Sequence, residues 1–129
     1  MKSEFIFGII LICLFSINIL NAQTKEKSNY SSKPTVTFIE LGSVNCIPCK
    51  AMQPIMKSAK KKYGGQLKVI FYDVWKNNQM QYASKYQIIL IPTQVFLDGK
   101  GKEIMRHEGF LAEVEIDKFL KSKGLKVIN

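Results

Sequence analysis

Apolar and polar residues follow three regimes along the chain. From Phe5 to Leu20 the sequence is almost unbroken apolar residues (FIFGIILICLFSINIL), preceded by Lys2 and ended by Asn21-Ala22-Gln23. Residues 23–34 are polar, rich in Ser, Asn and Lys, and carry no periodicity. From Thr35 onward, β-type and helical patterns alternate. Thr35 to Leu41 is β-branched, aromatic and mostly apolar, as befits a strand covered on both faces, with Glu40 out of place inside it. After a loop over Gly42 to Asn45, Met52, Ile55, Met56 and Ala59 recur at helical spacing up to Gly64-Gly65. This predicts a helix from Pro48 to Tyr63 with a kink at Pro54.

The second strand is expected over Leu67 to Trp75, followed by a short helix over Gln79 to Tyr86 with Met80, Ala83 and Tyr86 inward. Ile88 to Ile91 leads into Pro92, and Thr93 to Leu97 forms the third strand. Asp98-Gly99-Lys100-Gly101 has hairpin-turn composition, so Glu103 to Glu108 should return antiparallel. A last helix from Glu113 to Lys123 buries Ile116, Phe119 and Leu120. The order βαβαββα implies a three-layer α/β fold around a mixed central sheet with one antiparallel edge.

The first regime has the form of a secretory signal peptide over residues 1–22, with a weakly basic start, an apolar middle and a small residue before the cut. Its 16-residue run falls short of the roughly 20 that cross a bilayer comfortably. The alternative is an uncleaved anchor over residues 5–20, favoured by the large Leu20 near the cut; Cys13 lacks the small residues before it that a lipoprotein signal needs. Residues 23–34 then form a flexible polar linker and residues 35–129 the folded domain, exported to the periplasm or another extracytoplasmic space.

With 129 residues, 47% of them apolar and 22% charged, the chain is long enough for one domain and is neither disordered nor of low complexity. The net charge of +9 would suit nucleic acid, but the lysines are dispersed, and Lys60-Lys61-Lys62 falls where cations meet the negative end of a helix dipole. No nucleic-acid partner is expected.

Loss of the leader leaves two thiols, Cys46 and Cys49, in Ser43-Val44-Asn45-Cys46-Ile47-Pro48-Cys49-Lys50 at a strand-to-helix junction. Backbone N–H groups and the helix dipole stabilise a thiolate there. Cys46, at the outer end, is then the nucleophile and Cys49, one turn inward, the sheltered thiol that resolves a mixed disulfide. Two other readings stand beside this one. Half a zinc site lacks further ligands, since His107 is the only histidine and reads as a surface strand residue, and the pair also suits an inert structural disulfide. No metal is expected.

The chain from Val36 to Leu120 resembles the thioredoxin superfamily. Cys46-Ile47-Pro48-Cys49-Lys50 is similar to that family's Cys-Gly-Pro-Cys-Lys, Pro54 falls at its helix-kinking proline, and Ile91-Pro92-Thr93 is similar to its Ile-Pro-Thr, whose proline is cis. Glu40, six residues before Cys46, stands at the position of the family's buried acid, and Gly109 matches a glycine near the same surface. The sequence departs at Asn45, where the family has tryptophan, at Ile47, where it has glycine, and in lacking a first strand and helix before Val36. Trp75, the only tryptophan, reads as packing or rim.

The resemblance implies a thiol–disulfide oxidoreductase that reduces or exchanges disulfides of exported proteins through a reversible Cys46–Cys49 couple, with no prosthetic group. It implies that Glu40 trades a proton with Cys49, the alternative being a carboxylate paired with a lysine at a strand edge. It implies further that Ile47, Pro48, Ile91, Pro92, Thr93 and Gly109 meet an extended substrate strand, although Pro92 also suits an ordinary proline at the start of a strand. Strongly oxidising relatives carry a histidine between the cysteines. The Ile-Pro spacer therefore points to a reductant or exchanger, working as a monomer and fed by a membrane thiol relay. The alternative from another class is a redox-inactive module that binds extended peptides.

Overall fold

A computed structural model describes residues 33–128. The leader over residues 1–22, the alternative anchor over 5–20, Cys13 and all but the end of the 23–34 linker lie outside the described residues. Among the described residues, no helix is long and apolar enough to cross a membrane.

Strand β1 (Val36–Gly42) is followed by helix α1 (Ile47–Tyr63), strand β2 (Leu67–Asp73), helix α2 (Gln81–Lys85), strands β3 (Thr93–Asp98) and β4 (Glu103–Glu108), and helix α3 (Glu113–Ser122). The sheet order is β2-β1-β3-β4. Apolar residues on both faces of β1 explain its central place. Val36 and Phe38 face Met52, Met56, Ala59 and Tyr63 of α1 and Ile116 and Leu120 of α3. Ile39 and Leu41 face the opposite layer, where Tyr82, Ala83 and Tyr86 pack with Val74, Val95 and Ile88. Three layers result, as the element order predicts.

The antiparallel pairing is not confined to the edge. β1 pairs parallel with β2 but antiparallel with β3, which pairs antiparallel with β4. The connection over residues 74–92 holds only the five-residue α2, about 8 Å of rise, and no element as long as the seven-residue strand of about 23 Å. The connection therefore stays at one end of the sheet, and β3 starts from the end at which β2 stops.

Most elements shift by a residue at one end, and two shifts change which residues lie inside. β2 stops at Asp73 rather than Trp75, because the Asp73 carboxylate accepts the Trp75 N–H at 3.2 Å and turns the chain. The second helix begins at Gln81, so Met80 is exposed rather than inward, and Tyr82 takes its place by stacking on Tyr72. Phe119 is half-buried and meets Phe96 edge-on. Gly64, with φ 54°, ends α1, and Lys62 of its basic last turn bonds Glu113 and Asp117 of α3, both at 2.6 Å. Pro54 lies inside α1, which runs on through it.

Candidate functional site

The strand registers bring four loops to one end of the sheet. Gly42 pairs with Asp73, Leu41 with Thr93, and Thr93 with Glu108. Residues 43–46, the turns after Asp73, residues 86–92 and Gly109 to Ala112 therefore emerge side by side.

At the first of these loops, Cys46 and Cys49 form a disulfide with Cα atoms 5.2 Å apart. Cys46 is the N-cap of α1, and its sulfur accepts the Cys49 N–H at 3.4 Å, while its carbonyl accepts Lys50 N–H at 3.0 Å. A cysteine at an N-cap thus replaces the usual oxygen acceptor with sulfur, which the same N–H and the dipole favour as an anion. Cys46 keeps 9% of its surface exposed and Cys49 none, so of the two cysteines Cys46 is the one that solvent reaches, though narrowly. Ile47, in the spacer, is 82% exposed, and Pro48 is exposed beside it.

The floor of the site is the buried end of β1. Gly42 lies directly under the inner sulfur: a Cβ there would stand 3.0 Å from Cys49 Sγ and 3.1 Å from its Cβ. Glu40, two residues earlier on the same face, is fully buried. Its Oε2 accepts the Gln94 side-chain amide at 3.0 Å across the β1–β3 ladder, whereas Oε1 has no partner among the described residues. Burial pushes the Glu40 carboxyl up to about 8, opposed by the Gln94 hydrogen bond. The lysine pairing weighed for Glu40 is not formed, because β1 is flanked on both sides and offers no edge.

The Ile91–Pro92 bond is cis. The Pro92 carbonyl accepts the Gly109 N–H at 2.7 Å, which brings these two expected substrate-side residues together, and Gly109 adopts φ 90°, where glycine is favoured. Ile91 is half-buried and Pro92 buried. Thr93 is buried too, and its hydroxyl donates to Leu90 O at 2.7 Å, so its side chain braces the loop from within.

Sequence reasoning missed Gly42, which it placed in a loop, and also Ser43, Asp73 and Gln94. Ser43 and Asp73 hold the turn that presents Cys46: the Ser43 carbonyl accepts Cys46 N–H at 3.2 Å, the Ser43 hydroxyl accepts Asn45 N–H, and Asp73 Oδ2 accepts Val44 N–H. A polar residue inside an apolar strand run was the available signal for Asp73 and Gln94. Exposed apolar side chains surround these loops: Val44, Ile47, Trp75, Ile89, Leu90 and Phe110. Trp75 is 61% exposed and, with Val74, Ala83 and Ile88 to Ile91, lines a cavity of about 310 Å³. His107 lies half-buried on β4 with a ring nitrogen 3.2 Å from the Phe110 carbonyl. Among the described residues no three His, Cys, Asp or Glu side chains form a metal-binding group.

The family model described as a thioredoxin-like domain matches residues 20–124. Over 73 residues the chain is 32% identical to the thiol:disulfide interchange protein TxlA homolog of Synechocystis, covering 57% of this chain and 41% of that protein. This chain thus spans less than half the length of that relative. Thioredoxin of Bacillus subtilis is 28% identical over 81 residues, covering 62% of this chain and 76% of its own. Among solved structures, the N21Q mutant thioredoxin from Halobacterium salinarum superposes with a TM-score of 0.63 at 20% identity, covering 78% of this chain and 84% of that one.

Proposed function

Because the chain belongs to the thioredoxin-like domain family, we propose that it is a thiol–disulfide oxidoreductase working through the Cys46–Cys49 couple. One observation carries the reading: the disulfide sits at the start of α1 with Cys46, the less buried of the two cysteines, at the N-cap, over a floor of Gly42 and the buried acid Glu40.

In the reductive direction the Cys46 thiolate attacks one sulfur of a substrate disulfide. A Cys46–substrate disulfide forms, and the other substrate sulfur leaves as a thiolate that takes a proton. Cys49 then gives up its proton and attacks Cys46 Sγ, which closes the disulfide seen here and expels the second substrate thiol. Two electrons pass to the substrate, and an external dithiol must return them. Glu40 is the group that accepts the Cys49 proton: a carboxyl held up to about 8 is a stronger base than an ordinary carboxylate, so its ionised form, which grows as pH rises toward 8, takes the thiol proton. Since Cys49 has no solvent exposure, an internal base is what its ionisation requires.

The exposed Ile47 and Pro48, the half-buried Ile91 and the Pro92–Gly109 corner, framed by Trp75, Leu90 and Phe110, suit an extended, partly apolar segment of a disulfide-containing protein. Thr93 contributes by bracing that loop. The spacer holds no cation that would favour the reduced form, which supports reduction or exchange over strong oxidation. The leader pattern over residues 1–22 and the linker over 23–34 support an extracytoplasmic site of action for the domain that follows, as a monomer with electrons supplied by a membrane thiol relay.

Insulin reduction with dithiothreitol tests the activity. Acceleration over dithiothreitol alone, lost in Cys46→Ser, is expected. An uncatalysed rate together with retained binding of extended peptides would replace the oxidoreductase with a redox-inactive binding module.

A further inference from the structure

We propose that Gln94 is the positioning residue for Glu40: its amide holds Oε2 as an acceptor, leaves Oε1 as the oxygen that carries the exchanged proton, and ties the acid to the Pro92–Gly109 corner. The proposal rests on the reading of Glu40 as proton partner of Cys49.

Gln94 and Glu40 are opposite each other in the β1–β3 ladder, and neither has exposed surface. The Gln94 side-chain nitrogen carries two hydrogens and meets two acceptors, Glu40 Oε2 and the Gly109 carbonyl, each at 3.0 Å. A backbone carbonyl only accepts, so the Gly109 contact dictates which end of the amide faces this way. With both hydrogens engaged, Glu40 Oε2 receives a donor in either protonation state. The hydrogen of the neutral acid therefore resides on Oε1, a buried atom with no partner among the described residues.

Among the described residues, no charged side chain contests this arrangement on the same face. Opposite Glu40 on β2 stands Phe71, and the inward residues of α1 above it are Cys49 and Met52. The next acid, Asp73, is engaged with the amides of Val44 and Trp75 and with Lys76. The titratable neighbour left for Oε1 is Cys49, whose sulfur lies over Gly42, one side-chain step along β1. The Gly109 N–H donates to Pro92 O, so one amide links the acid to both strands of the corner where a substrate would lie. The hydrogen bond from Gln94 lowers the Glu40 pKa against the effect of burial, which is the direction a donor to the charged form produces.

The test follows the Glu40 carboxyl carbon by NMR across pH, beside the pH profile of the single-turnover step that closes the disulfide. In the wild-type protein the Gln94 side-chain amide signals should move with the same midpoint as the Glu40 carboxyl; amide signals that ignore that titration overturn the proposal without any variant. In Gln94→Met, near in volume but unable to donate, the midpoint should rise by about one to two units and the kinetic profile should move with it. A variant that loses thermal stability while midpoint and profile stay in place assigns Gln94 a packing role and overturns the proposal. Glu40→Gln separates the layers. If it leaves the profile unchanged, Glu40 is not the proton partner and both readings fall; if it abolishes the profile while Gln94→Met leaves the midpoint unmoved, only the role of Gln94 falls.

Discussion

Gly42 and Cys49 lie so close that a side chain on the strand residue would crowd the thiol: a Cβ on Gly42 would lie 3.0 Å from the Cys49 sulfur and 3.4 Å from the Phe71 ring. The absence of a Cβ lets the inner thiol rest on the end of β1. Gly42→Ala should therefore displace α1 at its first turn, at a cost of about 1–3 kcal/mol. Chemical denaturation of the oxidised protein measures the cost, and an alanine variant as stable as wild type would show that the helix start yields freely.

The two cysteines should fail in different ways. Cys46→Ser removes the thiol of the less buried cysteine and should abolish reductase turnover, whereas Cys49→Ser should accumulate mixed disulfides through Cys46. Non-reducing electrophoresis after incubation with a disulfide substrate reads this directly. Equal trapping by both variants would remove the distinction between outer nucleophile and inner resolving thiol.

Glu40 links stability to pH with a defined sign. Its pKa is raised from 4.5 to about 8, so the folded protein binds a proton that the unfolded chain releases. Its contribution is complete below about 4.5 and is lost as pH rises to about 8, a span of roughly 5 kcal/mol. Glu40→Gln should flatten that part of the stability curve and make the oxidised protein more stable than wild type above pH 8. Glu40→Leu should likewise fold, yet slow disulfide closure roughly 10²-fold at neutral pH. Denaturant titrations at several pH values, with rapid-mixing kinetics, check both halves.

The contact between α1 and α3 is polar at its outer edge. Lys62 bonds Glu113 and Asp117, Ser58 donates to Glu113 at 2.6 Å, and the Tyr63 hydroxyl donates to Asp117 at 3.1 Å. Lys62→Met should cost about 1 kcal/mol, weakened by salt because the side chain is one-third exposed. Tyr63→Phe, at a fully buried ring, should cost about 1 kcal/mol without salt dependence. Melting curves at low and high ionic strength separate the two.

Ile47→His should raise the reduction potential of the pair. Ile47 is exposed, so the substitution leaves packing intact and places an imidazole near Cys46, where it favours the thiolate and hence the dithiol. With about 30 mV per 1.4 kcal/mol for a two-electron couple, one charge-assisted contact should shift the potential by some tens of millivolts. Equilibration against glutathione measures it; an unmoved or lower potential would mean that the spacer does not set the poise.

What the sequence determines here is local. The β-branched run of β1, the helical spacing from Met52 to Ala59, the glycines after Tyr63 and the turn at Asp98 to Gly101 each state their element through backbone preference and side-chain period, which neighbours in the chain suffice to set. The spacing of Cys46 and Cys49 at a helix start permits a disulfide for the same reason, and the resemblance to a known family selects it over half a zinc site. Direction and contact are different. That β3 runs against β1, that Gly42 is the seat of Cys49, and that Gln94 rather than a lysine meets Glu40 depend on which strands lie side by side. Pairing between residues 54 positions apart is a property of the folded sheet: the free energy of burying Glu40, and the amide that offsets it, exist only once β1 and β3 have excluded water from between the layers.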